Sequence, residues 1–226
     1  MRTKQVNGAI AAIVCATSFI IGLVVILFVV PDFNQGAEFR LAAFTKHKLL
    51  MQIWYFLVYV VFGFSLLVLS RSLLELTDGE HSFLEQVTSL VSYLWACYIL
   101  ACGLIAILSI EFLFSHNSDG TQHISEVWRQ IYTIQMGLGE GVEWVGAIWV
   151  LFINSCLRER NRFPQPIILF GYFIAAIGML TLYRPLADIG ALFGLFQIVW
   201  FLAIAFFLAR EWSKHRAQVN CSHLNG

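Results

Sequence analysis

The chain has 226 residues, with 14 basic and 14 acidic side chains, so its formal net charge is zero. Hydrophobic residues make up 59% and charged residues only 12%, half the charged share of an ordinary soluble domain, which is about a quarter. A single water-soluble domain of this length has too little interior to hide so much apolar surface, and a neutral chain offers no field for nucleic acid.

Taken in chain order, six apolar stretches are each long enough, or nearly so, to cross a hydrocarbon core of about 30 Å as a helix of about 20 residues. They run Gly8–Val30, Leu49–Ser70, Leu90–Phe114, Gln130–Ser155, Ile167–Tyr183 and Ile189–Ala209, the fifth being the shortest. "MRTK" ahead of the first resembles a signal-peptide n-region, but the apolar run is too long and no small-residue cleavage site follows, so the span is expected to be retained. The second half of "PDFNQGAEFRLAAFTKHK" reads either as a short interfacial helix or as a hydrated connection. "SFLE" at Ser82–Glu85 is a capping box for the third helix, and "PQP" puts Pro166 where a helix start tolerates proline. "YRPLAD" is so short that the last two helices must form a tight hairpin, and Trp54, Trp128 and Trp212 fall near predicted interfaces.

With the N-terminus inside, nine basic residues fall in cytoplasmic segments and five in outer ones, the clusters "RERNR" and "REWSKHR" dominating the bias. The expectation is an all-α, single-domain bundle of six transmembrane helices over residues 1–226, with both termini cytoplasmic. No alternating ten-residue pattern suggests a transmembrane barrel. The five cysteines show no C-x-x-C spacing and read as thiols rather than a disulfide framework or zinc site.

The fourth stretch contains "QMGLGEGVEWVG", with Glu140 and Glu143 three residues apart among four glycines. In a continuous helix these carboxyls would stand ~15 and ~20 Å into the membrane on one face. Facing lipid, each would cost ~2.5 kcal/mol or more, so the face is expected to turn into the bundle, where mutual repulsion favours a shared proton. Gly137 and Gly141 form a small-xxx-small pair, which points first to close helix packing; the other reading is a loosened turn of the kind discontinuous transporter helices use. Gln197, about nine residues into the last span, is expected to line the same pocket. Arg184 and Asp188 flank the outer end of the last hairpin, either as a local salt bridge or as an outer gate. Glu111 lies near a span end and is given no role, and "TDGEHSFLE" has hard-ligand residues without metal spacing.

No histidine lies in a span interior, which argues against bis-histidine haem, and no lysine does, which excludes a retinal Schiff base. Neither H-E-x-x-H nor G-x-S-x-G occurs. Catalytic residues, metals and cofactors are therefore not expected.

"GEGVEWVGAIWVLF" and "ALFGLFQIVWFLAIAFFLAR" resemble a group of small bacterial six-helix membrane proteins of unknown function, over roughly the C-terminal 40% of the chain. The resemblance implies a bacterial inner-membrane setting and brings no activity with it. Ala9, Ala12 and Ala16 resemble the first-helix docking face of substrate-binding components of modular vitamin importers. The functional expectation is a small transporter or solute-binding permease component. The alternative is an accessory or sensory subunit acting through helix contacts. The expected partners are the lipid bilayer, with a membrane protein or a second copy beside it, and no nucleic acid.

Overall fold

The computed structural model describes residues 2–75, 82–115, 121–138, 143–161 and 163–224, and every regular element among them is helical. Helix α1 (Arg2–Phe28) is followed by a 3-10 turn at Phe33–Gln35 and α2 (Ala37–Lys46), so the second half of the first loop is helical. α3 (Lys48–Tyr55) continues through a π-helical stretch, Phe56–Val61, into α4 (Phe62–Leu74). Then come α5 (Phe83–Ser115), α6 (Thr121–Gly137), α7 (Trp144–Glu159), α8 (Gln165–Leu180), a 3-10 turn at Arg184–Ile189, and α9 (Gly190–Leu224). By length and composition, four segments can cross a membrane: Gln5–Phe28, Lys48–Leu74, Phe83–Ser115 and Gly190–Ser213. The fifth expected span is present as α8, only 16 residues long, ~24 Å against a core of ~30 Å.

The fourth expected span is not one helix. α6 stops at Gly137 and α7 starts at Trp144. Three glycines within seven residues, Gly137, Gly139 and Gly141, give the helix little propensity there, and the apolar average that suggested a span ran straight across the interruption. α6 lies along the far half of α5, where Gln135 Nε2 donates to Cys102 O at 3.3 Å. α7 lies along the near half, where the Trp149 indole N–H reaches Ser92 Oγ.

The helices pack largely in chain order. α1 touches α4, α4 touches α5, α5 touches α7, α7 touches α8, α8 touches α9, and α9 returns to α1. The shared core is aromatic: Trp149 lies 5.2 Å from Trp95, 5.9 Å from Trp200 and 6.4 Å from Phe201, ring centre to ring centre. Its N–H is shared between Ser70 Oγ at 3.0 Å and Ser92 Oγ at 2.9 Å, which ties α7 to α4 and α5 with one donor. Close backbone approach occurs where glycine lacks a side chain. A Cβ at Gly146 would stand 2.6 Å from Trp95, and one at Gly178 2.7 Å from both Ala147 and Phe193. At Gly171 it would meet the Asn154 amide at 2.2 Å. Among the described residues a Cβ at Gly137 would meet nothing within 4 Å, and Gly141 lies outside the described residues.

Beyond the ends of the shorter helices, α2, α6 and the tips of α1, α3 and α5 enclose a second apolar core around Phe33, Phe44, Met51, Tyr55, Ile110 and Trp128. Trp54 and Trp128 are buried in this cap, and Trp128 Nε1 donates to Ala37 O at 2.6 Å. Arg40 is buried in the cap with its guanidinium 4.5 Å from the Phe33 ring centre and 5.1 Å from that of Tyr132, a cation–π contact on two sides.

At the opposite end, the capping box forms as expected: Ser82 N donates to Glu85 Oε2 at 3.1 Å, and Glu85 N to Ser82 Oγ at 3.3 Å. Glu85 also receives Arg160 Nε at 3.0 Å and Nη2 at 3.1 Å, a bidentate pair that fastens the end of α7 to the start of α5. The alanine stripe of α1 faces inward: Ala9, Ala12 and Ala16 are buried, and a Cβ at neighbouring Gly8 would press on Ser72 of α4 and Leu208 of α9. That stripe is consumed inside the chain and presents no docking face.

Gly178→Ala should lower stability by about 1–3 kcal/mol through overpacking against Ala147 and Phe193, whereas Gly137→Ala should be neutral or slightly stabilising. Thermal unfolding of the two variants in the same detergent checks the contrast.

Candidate functional site

Three helix ends meet where the fourth apolar segment is interrupted. α7 starts there, α8 finishes there, and α9 starts there after its short 3-10 link. Glu143 is the residue before α7, and its carbonyl accepts the first helical bond from Ala147 N at 2.8 Å. Its own amide has no acceptor inside the helix, as at any helix start. Thr181, just past the end of α8, supplies one: Glu143 N donates to Thr181 Oγ1 at 3.2 Å, and that hydroxyl donates onward to Gly178 O at 2.7 Å. One hydroxyl therefore satisfies a free amide of α7 and a late carbonyl of α8.

The Glu143 side chain does not cap its own helix. It is half-buried and points towards the first residue of α9, where a Cβ at Gly190 would stand 3.5 Å from Glu143 Cγ. Two helix N-termini, those of α7 and α9, thus lie beside this side chain, and their free N–H groups favour negative charge. Among the described residues the carboxyl makes neither a hydrogen bond nor an ion pair.

Below this level the helix faces can be followed by their spacing. Ala147 of α7, Gly178 of α8 and Phe193 of α9 pack together directly beneath Glu143. Gln197 lies two turns beyond Gly190 on the same face of α9, ~10 Å further in. It is completely buried, and neither atom of its amide has a hydrogen-bond partner among the described residues. Four other buried polar atoms are in the same position, two of them in these helices: Asn154 Oδ1, whose Nδ2 is held by Val150 O at 2.7 Å, and Trp200 Nε1, one turn from Gln197; Trp54 Nε1 and Gln135 Oε1 lie elsewhere. Buried polar atoms are nearly always paired, so three orphans in one helix triplet mark an unusual interior.

Glu143 lies beside the first residue of α9, and Gln197 is buried two turns further along that helix. They do not share a single chamber, because Phe193, Gly178 and Ala147 fill the level between them. Glu140 lies outside the described residues. Arg184 and Asp188 belong to the 3-10 link, beside the same three helix ends, but their side chains lie outside the described residues. Glu111 accepts from Lys48 Nζ at 3.0 Å and Gln52 Nε2 at 3.2 Å, far along α5. Of "TDGEHSFLE", Asp78, Glu80 and His81 are outside the described residues, and Glu85 is taken by its cap and by Arg160. Among the described residues no group of three potential metal ligands gathers.

Sequence reading missed Thr181, Asn154 and Trp149. Thr181 carries only a weak signal, a lone hydroxyl at a helix end before "YRP", and Asn154 only its place further along the stripe of the acidic pair. Trp149 gives none, since an intramembrane tryptophan looks like any large apolar residue until its N–H finds Ser70 and Ser92.

Fold and site together define a helical membrane protein with an interrupted helix at an acidic position. Comparison with family models, with curated proteins and with solved structures finds no match to this chain.

Thr181→Val should leave the Glu143 amide without its acceptor at a cost of about 1–3 kcal/mol. Amide exchange in the first turn of α7 should then accelerate roughly tenfold or more while α5 is unchanged, which residue-resolved hydrogen exchange can read.

Proposed function

We propose that this protein is a small transporter or solute-binding permease component of a bacterial inner membrane. In this reading the chain crosses the bilayer six times with both termini cytoplasmic: α6 and α7 together make the fourth crossing, and α8 the fifth. Glu140 and Glu143 bind a proton or a cation, and Gln197 contributes a polar lining group deeper in the same column.

The observation that carries the proposal is the interruption of the fourth apolar segment at its acidic pair, between Gly137 and Trp144. Non-helical backbone at membrane depth leaves amides and carbonyls that lipid cannot satisfy, and it is tolerated where it is buried in protein or lines a polar cavity. Discontinuous helices of this kind hold ions and charged substrates in many transporters, through helix N-termini and freed carbonyls. Here two helix N-termini and the end of α8 surround Glu143. The orphaned atoms of Gln197, Asn154 and Trp200 support a polar route below that level, with Phe193 as the barrier between the two tiers.

The accessory-subunit reading rested on small-residue faces of the first and fourth spans. The face on α1 is buried within the chain and so does not support it, while among the described residues a Cβ at Gly137 would meet nothing within 4 Å.

The test is ion flux in proteoliposomes carrying an internal pH dye. An imposed proton or cation gradient should produce flux with the wild-type protein, and Glu140→Gln with Glu143→Gln together should reduce it about tenfold or more, the effect of ~1.4 kcal/mol at the carrying step. Equal flux through wild type and the double variant would sink the proposal.

A further inference from the structure

The orphaned polar atoms of α7 and α9 lie on faces whose register is fixed by contacts. Ala147 of α7, Gly178 of α8 and Phe193 of α9 meet in one layer, and two turns on, α7 and α8 meet again where a Cβ at Gly171 would strike the Asn154 amide. α7 and α9 both start at the helix break, so equal steps along them reach equal depth. Gln197 and Trp200 follow Phe193 by four and seven residues, on the stripe of α9 that Phe193 defines. Asn154 Nδ2 donates to Val150 O at 2.7 Å, which turns its amide back one turn, to the depth of Gln197. The Trp200 indole leans back as well, as side chains on a helix do, and its ring centre stands 5.9 Å from that of Trp149 on α7.

All three side chains are fully buried, and among the described residues four of their atoms have no partner: Gln197 Oε1 and Nε2, Asn154 Oδ1 and Trp200 Nε1. Two are acceptors, two are donors, and none carries charge. A hard cation takes about six oxygen ligands; here it would find two neutral ones and face the indole and amide N–H groups. An anion would face the two carbonyl oxygens. What matches is a small neutral molecule that both donates and accepts. Val150, Ile174 and Ile204, fully buried along these faces, hold the occupant to the size of water.

We infer that Gln197, Asn154 and Trp200 seat an internal water, which accepts from the Trp200 indole and donates to Asn154 Oδ1 and Gln197 Oε1. About three partners is the usual complement of a buried water. This water joins α9 to α7 one turn beneath Phe193. Its seat is set by packing and does not depend on ion transport.

The test is NMR of the full-length protein in micelles with isotope-labelled tryptophan, reading rotating-frame Overhauser contacts from water to each indole N–H. The sign of a cross-peak separates a bound water from proton exchange, and Trp200→Phe assigns the Trp200 signal by its loss. A contact is expected at Trp200 and none at Trp128, which is also buried but gives its proton to Ala37 O at 2.6 Å. Asn154→Ala combined with Gln197→Met should lose the Trp200 contact, since one indole donor alone does not hold a buried water. Absence of the contact from the wild type would overturn the inference, whether or not the double variant folds. An equal contact at Trp128 would overturn it as general water penetration, and so would an unchanged contact in the double variant. A shift of the Trp200 signal with sodium or potassium but not with choline would overturn it too, the seat then being a cation's.

Discussion

Every helix start leaves amides, and every helix end carbonyls, that need a partner when buried, and where α7, α8 and α9 meet this requirement is answered by the hydroxyl of Thr181. A helix that begins inside an apolar slab exposes N–H groups, and a helix that ends there exposes carbonyls. By ending α8 at the level where α7 begins, the chain lets one side chain answer both, accepting from Glu143 and donating to Gly178. The short lengths of α7 and α8, and the tight 3-10 link that starts α9 beside them, follow from that shared level. Glu143 is placed among three helix ends as a consequence.

The remainder of the bundle is fastened by a small number of polar contacts set in aromatic packing. The Trp149 N–H holds α7 to α4 and α5, and the bidentate Arg160–Glu85 pair holds its other end. Thr88, between those two levels on α5, gives its hydroxyl to Leu84 O at 2.7 Å and lies 3.2 Å from Cys156 Sγ. α7 is therefore anchored along its length on the α5 side. On the α8 side it packs through glycine and alanine, and the hydroxyls of Thr181 and Tyr172 reach Glu143 N and Ser155 Oγ.

Hydropathy made the four long spans legible, because about 20 apolar residues in a row admit few other readings. The Ser82–Glu85 cap and the start of α8 near Pro166 were legible from local chemistry alone. The break at Gly137–Trp144 was visible only as a minor reading, since an averaging window sees Trp144 and Val145 as readily as Glu140. Glu143 was found by its charge, and Gln197 by its depth. The contacts that define the site were out of reach, because Thr181 lies 38 residues from Glu143 and Ser70 lies 79 residues from Trp149. The burial of Trp54 and Trp128 was out of reach for the same reason: their cap exists only when α2 and α6 fold over the ends of α1, α3 and α5.

The most direct measurement is native mass spectrometry of the protein extracted gently from its own membrane, wild type beside Glu143→Gln. The account predicts a water-soluble small molecule bound in fixed ratio to the wild-type chain and absent from the variant. A foreign protein bound in fixed ratio with no such molecule, or the same adduct on both chains, would contradict it.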